Sequence, residues 1–388
     1  MLARSFAIVG AGFSGAVVAR QLAEAGHTAT VFDTRDHVAG NCHTERHETG
    51  VMVHTYGPHI FHTQHEHVWE FITRFGVMMP YRHRVRAMVG DRAFQMPMNL
   101  TLINEFFGSN FSPAEAEAFI ATKADSTITN PVSFEDQGLR FVGRELYDAF
   151  FAGYTKKQWG VDPTELPASI LARLPLRFTA DDSYFNHPHQ GIPEHGYTPI
   201  VEAILDHPSI SVHLSTRFER AQSSSYDHVV WTGPIDAYFG FEHGRLAYRT
   251  LDFEQQVSEG DFQSCPVLNY CDEQVPYTRI TEHKHFAPWE SHDSTVTYTE
   301  FSRLCGENDT PYYPIRLVKE TDQLVNYVQQ ARAQQGVTFL GRLGTYRYLD
   351  MDVTIHEALA AATAMLKALD DGTDIPPFFT DPLGGAKH

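Results

Sequence analysis

Three glycines near the start of the chain offer the first chemistry. Gly10, Gly12 and Gly15 form Gly-x-Gly-x-x-Gly between the apolar run Phe6 to Val9 and a helix-forming stretch, Ala16 to Ala25, which Gly26 closes. In that setting the first glycine makes a tight turn, the second lets backbone approach a pyrophosphate, and the third lets helix and strand pack closely. Phe13 and Ser14 complete the turn, and the positive end of the helix faces the diphosphate. Thr28 to Phe32 reads as the next strand, ending at Asp33 and Thr34, where an acid can hydrogen-bond a ribose hydroxyl. A bare strand-to-helix turn is the alternative, and the full context favours a bound dinucleotide.

Histidines supply the second group of candidates. His59 and His62 stand three apart, and Glu282-His283-Lys284-His285 also has a metal-like look. No acidic pattern completes a site around the first pair, and in a strand the members of the second would point to opposite faces. No metal is expected, and His62 reads equally well as a core histidine.

The elements that must position these groups follow from pattern. Residues 74–97 are strand-like, with a hairpin at Gly90-Asp91. From Asn99 to about Leu174 the chain reads as helical, with a capping box at Ser112-Pro113-Ala114-Glu115. Leu139, Val142, Leu146, Tyr147 and Phe150 share one helical face. Short aromatic and β-branched runs between 247 and 313, such as Val267 to Tyr270 and Thr295 to Tyr298, predict an antiparallel sheet. A strand at Val337 to Leu340, Gly341-Arg342 and a helix capped by Thr354-Ile-His-Glu357 close the fold, and 371–388 is expected to fray.

Composition bounds the function. At 388 residues, 42% hydrophobic and 20% charged, the chain is globular and long enough for two or three domains. A net charge of −18 with no basic run argues against nucleic acid. The glycine-broken run from Ser5 to Ala19 is too short to span a membrane, and no other segment is long and apolar enough for membrane insertion. Cys42, Cys265, Cys271 and Cys305 show no CxxC spacing, which fits a reducing, cytoplasmic setting without disulfides.

The dinucleotide is narrowed by two further segments. Arg35 through Gly40 and Asn41 resembles the second glycine motif of FAD-binding folds, with Ala39 where glycine is usual, and Gly341-Arg342 resembles the segment that closes over a flavin pyrophosphate. Beyond these, Tyr56-Gly-Pro-His-Ile-Phe-His62, Gly153-Tyr-Thr-Lys-Lys-Gln-Trp-Gly160, Asp181 to Phe185, Gln190 to Pro193, Thr232 to Asp236, Pro276-Tyr-Thr-Arg279, Glu282 to Phe286, Tyr312-Tyr-Pro314 and Gly341 through Met351 resemble the UDP-galactopyranose mutases in order and spacing. The resemblance runs from about residue 5 to 368.

It implies an α/β fold: a discontinuous Rossmann-like FAD-binding domain (1–78, 191–240, 315–370), a helical domain (99–175) and an antiparallel sheet domain (79–98, 176–190, 241–314). The implied reaction interconverts pyranose and furanose forms of a nucleotide hexose, UDP-galactose foremost, by attack of reduced-flavin N5 on the anomeric carbon with release and return of the nucleoside diphosphate. FAD would be non-covalent, reduced by NADPH or another external donor, and the protein a homodimer or higher homo-oligomer.

By resemblance, Gly10, Gly12, Phe13, Ser14, Gly15, Asp33, Thr34, Gly40, Asn41, His59, Ile60, Arg342, Asp350 and Met351 hold the cofactor. Arg173 and Arg279 clamp the diphosphate with Tyr184, Tyr313 and Tyr348, while Phe150, Phe151, Tyr154, Thr155 and Asn269 hold the uridine. Trp159 lies on a loop over the nucleotide sugar, His59 and His62 pass the reactive edge of the flavin, and His83 lies near the sugar. Read alone, Phe150 and Phe151 are helix core and the tyrosines are buried rings with satisfied hydroxyls. The chain departs from the family pattern at Pro58, at Arg82-His83-Arg84-Val85-Arg86, at Leu349 and at Asp352. These departures lie near the hexose and leave a dTDP-linked, deoxy or N-acetyl sugar as alternatives. A flavin oxidoreductase of the amine oxidase type shares the flavin segments but leaves Arg173, Arg279 and Lys-Gln-Trp-Gly unexplained.

Overall fold

The computed structural model describes residues 3–173, 176–317 and 322–384, without the side chains of 172 and 173. Strand β1 (Ser5–Val9) lies at the centre of a five-stranded parallel sheet. Strand β2 (Thr28–Phe32) pairs with one side of it and His228–Trp231 with the other; Ile210–His213 and Val337–Phe339 form the edges. Phe6, Ala7 and Ile8 are fully buried, as a parallel sheet covered on both faces requires. Helix α1 (Phe13–Glu24) starts directly from the glycine turn, earlier than the Ala16 start expected from composition. Alongside it runs the helix Met351–Asp371, whose buried Ala358, Ala361 and Ala362 share a core with Ala16, Val17 and Ala19.

That last helix corrects an expectation. Thr354 to Glu357 is not its cap: the Thr354 amide already donates to Asp350 O at 2.9 Å, so the helix begins at Met351 with Asp350 as its extended N-cap. The box at Ser112 and Glu115 forms as expected. The apolar face from Leu139 to Phe150 is likewise not one helix. It is broken at Gly143, where φ is +81° and a Cβ would come 2.5 Å from Lys123 O. Phe150 then falls in a π-helical turn, Asp148–Ala152. The periodicity recorded burial in a shared core rather than one continuous helix.

The second sheet has seven strands, in the order Tyr313–Pro314, Tyr248–Glu259, Ser294–Leu304, Arg279–Glu282, Val267–Tyr270, Val85–Val89, Arg92–Met96. Val267–Tyr270 pairs in parallel with Val85–Val89, so the sheet is mixed rather than purely antiparallel. The hairpin around Gly90 forms as expected. Glu282 ends a strand, but His283–Phe286 is a 3-10 turn, so Glu282 and His285 come together at 3.3 Å instead of facing apart.

The C-terminal segment does not fray as far as it is described. The Phe339 amide donates to Pro377 O at 2.8 Å, Thr338 Oγ1 to Pro376 O at 2.7 Å, and Phe378 packs on Phe339. The edge strand Val337–Phe339 has backbone groups to satisfy, and the tail covers them. Among the described residues no helix is long and apolar enough to cross a membrane. All four cysteines are free.

Candidate active site

The three glycines of the turn meet three different demands. Gly10 has φ +109°, and a Cβ there would lie 2.1 Å from Thr232 Oγ1. At Gly15 a Cβ would lie 2.0 Å from Gly10 O, which is the close helix–turn packing expected. Gly12 is different. Its φ is −80°, open to any residue, and the atom nearest its Cβ position is Gly40 Cα at 3.8 Å. Neither conformation nor protein packing asks for glycine at position 12; space for an approaching group does. Asp33 holds this geometry, accepting from the Ala11 amide at 2.8 Å and the Arg35 amide at 2.9 Å. Its first role is therefore to clamp the turn.

Two distant segments close on the same helix end. Ala39 and Gly40 are left-handed (φ +72° and +55°), and Asn41 accepts from Arg35 Nη2 at 2.7 Å while donating to Pro311 O at 3.3 Å. Gly341 has φ +78° and a Cβ there would meet Ser14 Oγ at 2.4 Å, so glycine is needed where this segment crosses α1. Arg342 donates to Leu349 O and to Tyr312 O, and its guanidinium lies 5.2 Å from the centre of the Tyr348 ring and 5.7 Å from that of Tyr313. Asp350 and Met351 open the helix beside it. Thr34 lines an open cleft of about 650 Å³ with Arg35, His37, Tyr56 and Ser215, a ligand-sized space. The cradle above Gly12 and the crossing at Gly341 fit FAD. The side chain of Phe13 packs edge-on to Tyr197, and the side chains of Phe13 and Ile60 rest in apolar cores, so their backbone is what they can offer the cradle.

On the sheet side, Arg279 is the central cation. Its Nε lies 2.8 Å from Glu300 Oε2, and the Glu300 side chain is only 1% exposed. Burial opposes the charge, but Glu300, Tyr154 and Tyr313 more than offset it, and the guanidinium is held well above its usual range. Glu300 is enclosed and the Arg279 side chain is 19% exposed, so this is a largely buried ion pair, not the surface pair that a lone arginine suggests. Burial pushes the hydroxyls of Tyr154 and Tyr184 up and that of Tyr313 up to about 12, with Arg279 opposing in each. Tyr313 and Tyr348 stack at 5.6 Å and Trp159 leans on both, at 6.3 and 6.2 Å. Asn269 pairs in register with Arg279, and its Oδ1 is buried without a hydrogen-bond partner. Thr155 is buried on the helix Gly153–Trp159, directly after the π turn that carries Phe151. π turns of this kind are frequent at functional sites. Phe150 packs edge-on against Phe94 and Phe106, and Phe150 and Phe151 are both buried in one core. The side chain of Arg173 lies outside the described residues.

His83, His228 and His283 are buried, and His59 and His62 are half-buried. His59 Nδ1 is 2.9 Å from Gly57 O, and burial holds the ring down to about 4. His62 stacks on Phe185 at 3.7 Å with Nδ1 2.8 Å from His187 Nδ1. His83 packs edge-on to Tyr184 and is pushed down to about 3 by burial. His283 is held near 3 and His228 near 4 by the same cause. In the unfolded chain these rings titrate near 6.5. Between the two values the unfolded state binds protons that the folded state refuses, so stability is complete above about pH 6.5 and falls as the pH drops towards 4. Urea unfolding at about pH 7.5 and about pH 5 should therefore show a lower midpoint in acid; an equal or higher one would mean that the folded state accepts those protons.

Some groups of the site were not singled out from the sequence. Glu300 was signalled only by a lone acid inside the threonine-rich strand Ser294–Leu304. Arg249, 5% exposed, donates to Gln158 O and Ser302 Oγ and stops the helix that carries Trp159; a Cβ at Gly160 would lie 2.2 Å from its Nη1. Lys157 donates to the carbonyls of Tyr270, Asp272, Val275 and Tyr277, tying the same helix to the loop before Arg279. Nothing in the local sequence marks either role, because the partners, backbone carbonyls and the Ser302 hydroxyl, are distant along the chain.

Comparison with known proteins agrees with this geometry. A family model described as UDP-galactopyranose mutase matches residues 149–348, and an NAD(P)-binding Rossmann-like domain matches 8–75. A probable UDP-galactopyranose mutase of Klebsiella pneumoniae is 55% identical over 376 residues, covering 97% of this chain and 98% of its own. A dTDP-fucopyranose mutase of Escherichia coli is 50% identical over 368 residues, covering 93% and 98%. A crystal structure of reduced UDP-galactopyranose mutase superposes with a TM-score of 0.73 at 16% identity, over 98% of this chain and 99% of that one, and so shares the fold. A Rossmann-type flavin cradle joined to a buried arginine–aromatic site, in a chain with such relatives, is an isomerase with a flavin cofactor: the chain belongs to the UDP-galactopyranose mutase family.

Proposed function

We propose that the protein interconverts the pyranose and furanose forms of a nucleoside-diphosphate hexose, with UDP-galactose as first candidate and a dTDP-linked deoxy sugar as second. The observation that carries this is the Arg279–Glu300 pair, whose guanidinium charge acts on the hydroxyls of Tyr154, Tyr184 and Tyr313. An otherwise acidic protein keeps a partly desolvated guanidinium here, close enough to phenols for charge to be felt, which suits a diphosphate leaving group. The relative named for a dTDP sugar keeps the second candidate open.

Bound as FAD and reduced by an external donor, the flavin supplies the nucleophile for the anomeric carbon. The chain's own groups do the rest. Arg279, with Arg173, neutralises the departing diphosphate, and Tyr184, Tyr313 and Tyr348 donate to its oxygens. Phe151, Tyr154 and Thr155 form the wall for the base, and the Asn269 acceptor suits a pyrimidine imide N–H. Trp159 covers the sugar and keeps the diphosphate nearby for its return. Neutral His59 and His62 border the reacting edge without adding charge. The same reading assigns residues 1–78, 191–240 and 315–370 to the cofactor and the helical and sheet portions to the nucleotide sugar.

Purified protein should be yellow and release FAD on denaturation. Dithionite-reduced protein, incubated with a panel of UDP- and dTDP-hexoses, should form furanose product, while oxidised protein forms none. Failure with every sugar would overturn the proposal, and flavin bleaching by an amine would favour the oxidase reading. Arg84 pairs with Asp182 at 2.8 Å beside Tyr184, and its side chain is 65% exposed. In the same panel Arg84→Ala should cost stability only about 0–1 kcal/mol and shift preference among hexoses more than affinity for free UDP. An equal loss of UDP affinity would misplace the sugar.

A further inference from the structure

Away from this site, three imidazoles converge on one surface patch. His65 is the N-cap of the helix α2 (Glu66–Thr73), His67 stands in its first turn, and His356 lies in the second turn of Met351–Asp371. His67 Nε2 is 2.8 Å from His356 Nδ1, and the His65 ring stacks on His356 at 4.6 Å. One ring nitrogen from each lies within 4.8 Å of the others. His65 does not spend its side chain on capping the helix. The neighbouring acids have other partners: Glu66 holds His189 and Glu357 pairs with Arg347.

We propose that His65, His67 and His356 form a site for a borderline divalent transition-metal ion of the zinc class. At 2.8 Å the facing nitrogens of His67 and His356 must share one proton, and a metal ion takes that proton's place on two lone pairs. Tetrahedral bonds of about 2.0–2.1 Å place donor nitrogens about 3.3 Å apart. One pair lies at 2.8 Å and all three nitrogens within 4.8 Å, close to that value, and His67 is exposed, so rotation of rings rather than movement of backbone brings them into line. Three imidazoles select zinc, nickel or copper over magnesium or calcium, which take oxygen ligands. Water completes the fourth position. The bound ion cross-links α2 to the helix whose first residues, Asp350 and Met351, open beside the cofactor cradle.

Untagged flavin-loaded protein, stripped with a chelator, is titrated with Zn²⁺ against a chromophoric zinc indicator. About one equivalent per chain should bind, and cobalt in its place should give d–d absorption to the red of the flavin bands. His67→Ala and His356→Ala should each weaken zinc at least about tenfold, and zinc should raise the melting temperature of the parent but not of His67→Ala. Flavin content and melting temperature without zinc show that each variant is folded, and the exposed His67 makes that variant the secure one. Absence of stoichiometric zinc binding overturns the proposal. So does binding unchanged in both variants, or binding lost in His187→Ala instead, which would place the ion at the separate group His62, His187 and Asp352.

Discussion

Arg279→Ala should lower turnover by about 10²–10³-fold with reduced flavin, because one preorganised donor to the leaving diphosphate is lost. It should also lower folding stability by about 3–5 kcal/mol, because Glu300, 1% exposed, is left as a buried carboxylate without its cation. The two effects are separable. Glu300 keeps a hydrogen bond from Thr278 Oγ1 at 3.0 Å, so an amide at that position still has a donor to accept from. Arg279→Ala combined with Glu300→Gln should therefore regain most of the stability and none of the turnover. Chemical denaturation and steady-state assays on the parent, the single and the double variant measure both quantities. Near-full activity in Arg279→Ala would remove the diphosphate from this position. Activity restored by the second change would mean that the arginine serves folding alone.

Gly12→Val should sharply reduce FAD content while the apoprotein keeps its stability to within about 1 kcal/mol. The backbone at position 12 is already in a common region, and 3.8 Å separates a Cβ from its nearest neighbour, so the valine methyls fill the cradle rather than strike the protein. Gly15→Ala should behave in the opposite way. Its Cβ would sit 2.0 Å from a backbone carbonyl that no rotamer can move, so the turn must shift and the apoprotein should lose about 1–3 kcal/mol or more. Flavin absorbance per chain and apoprotein melting temperature distinguish the pair. Unchanged flavin content in Gly12→Val would place the pyrophosphate elsewhere.

The cofactor half was legible because its requirements are local. A strand, a tight turn and a helix start lie within one short stretch, so Gly10, Gly12, Gly15 and Asp33 could be given physical roles from spacing alone. The structure brings the turn together as that spacing demands, and adds that Asp33 clamps the Ala11 amide. Arg279, Tyr313 and Tyr348 were legible only through resemblance, since no spacing rule joins residues that far apart. Phe150 and Phe151 show the limit plainly. They are adjacent and equally apolar, and the π turn buries both, Phe150 against Phe94 and Phe106 and Phe151 at 6% exposure in the same core, a break that their shared helical period does not record.

What the amino-acid sequence by itself determined is whatever a period, a turn or a composition can encode: the first strand–turn–helix unit, the Ser112 capping box, the Gly90 hairpin and a globular character. Tertiary structure decided the rest. Gly143 ended an apolar face that continued in the sequence, and the 3-10 turn after Glu282 reversed an expected alternation. An edge strand with unmet hydrogen bonds drew down the tail. Glu300 became the partner of Arg279 because two paired strands set them side by side in register. Each outcome depends on a buried polar group or a close backbone approach finding its partner across the fold. A local pattern carries no record of that partner, and the cost of leaving it unmet is settled only when the chain packs.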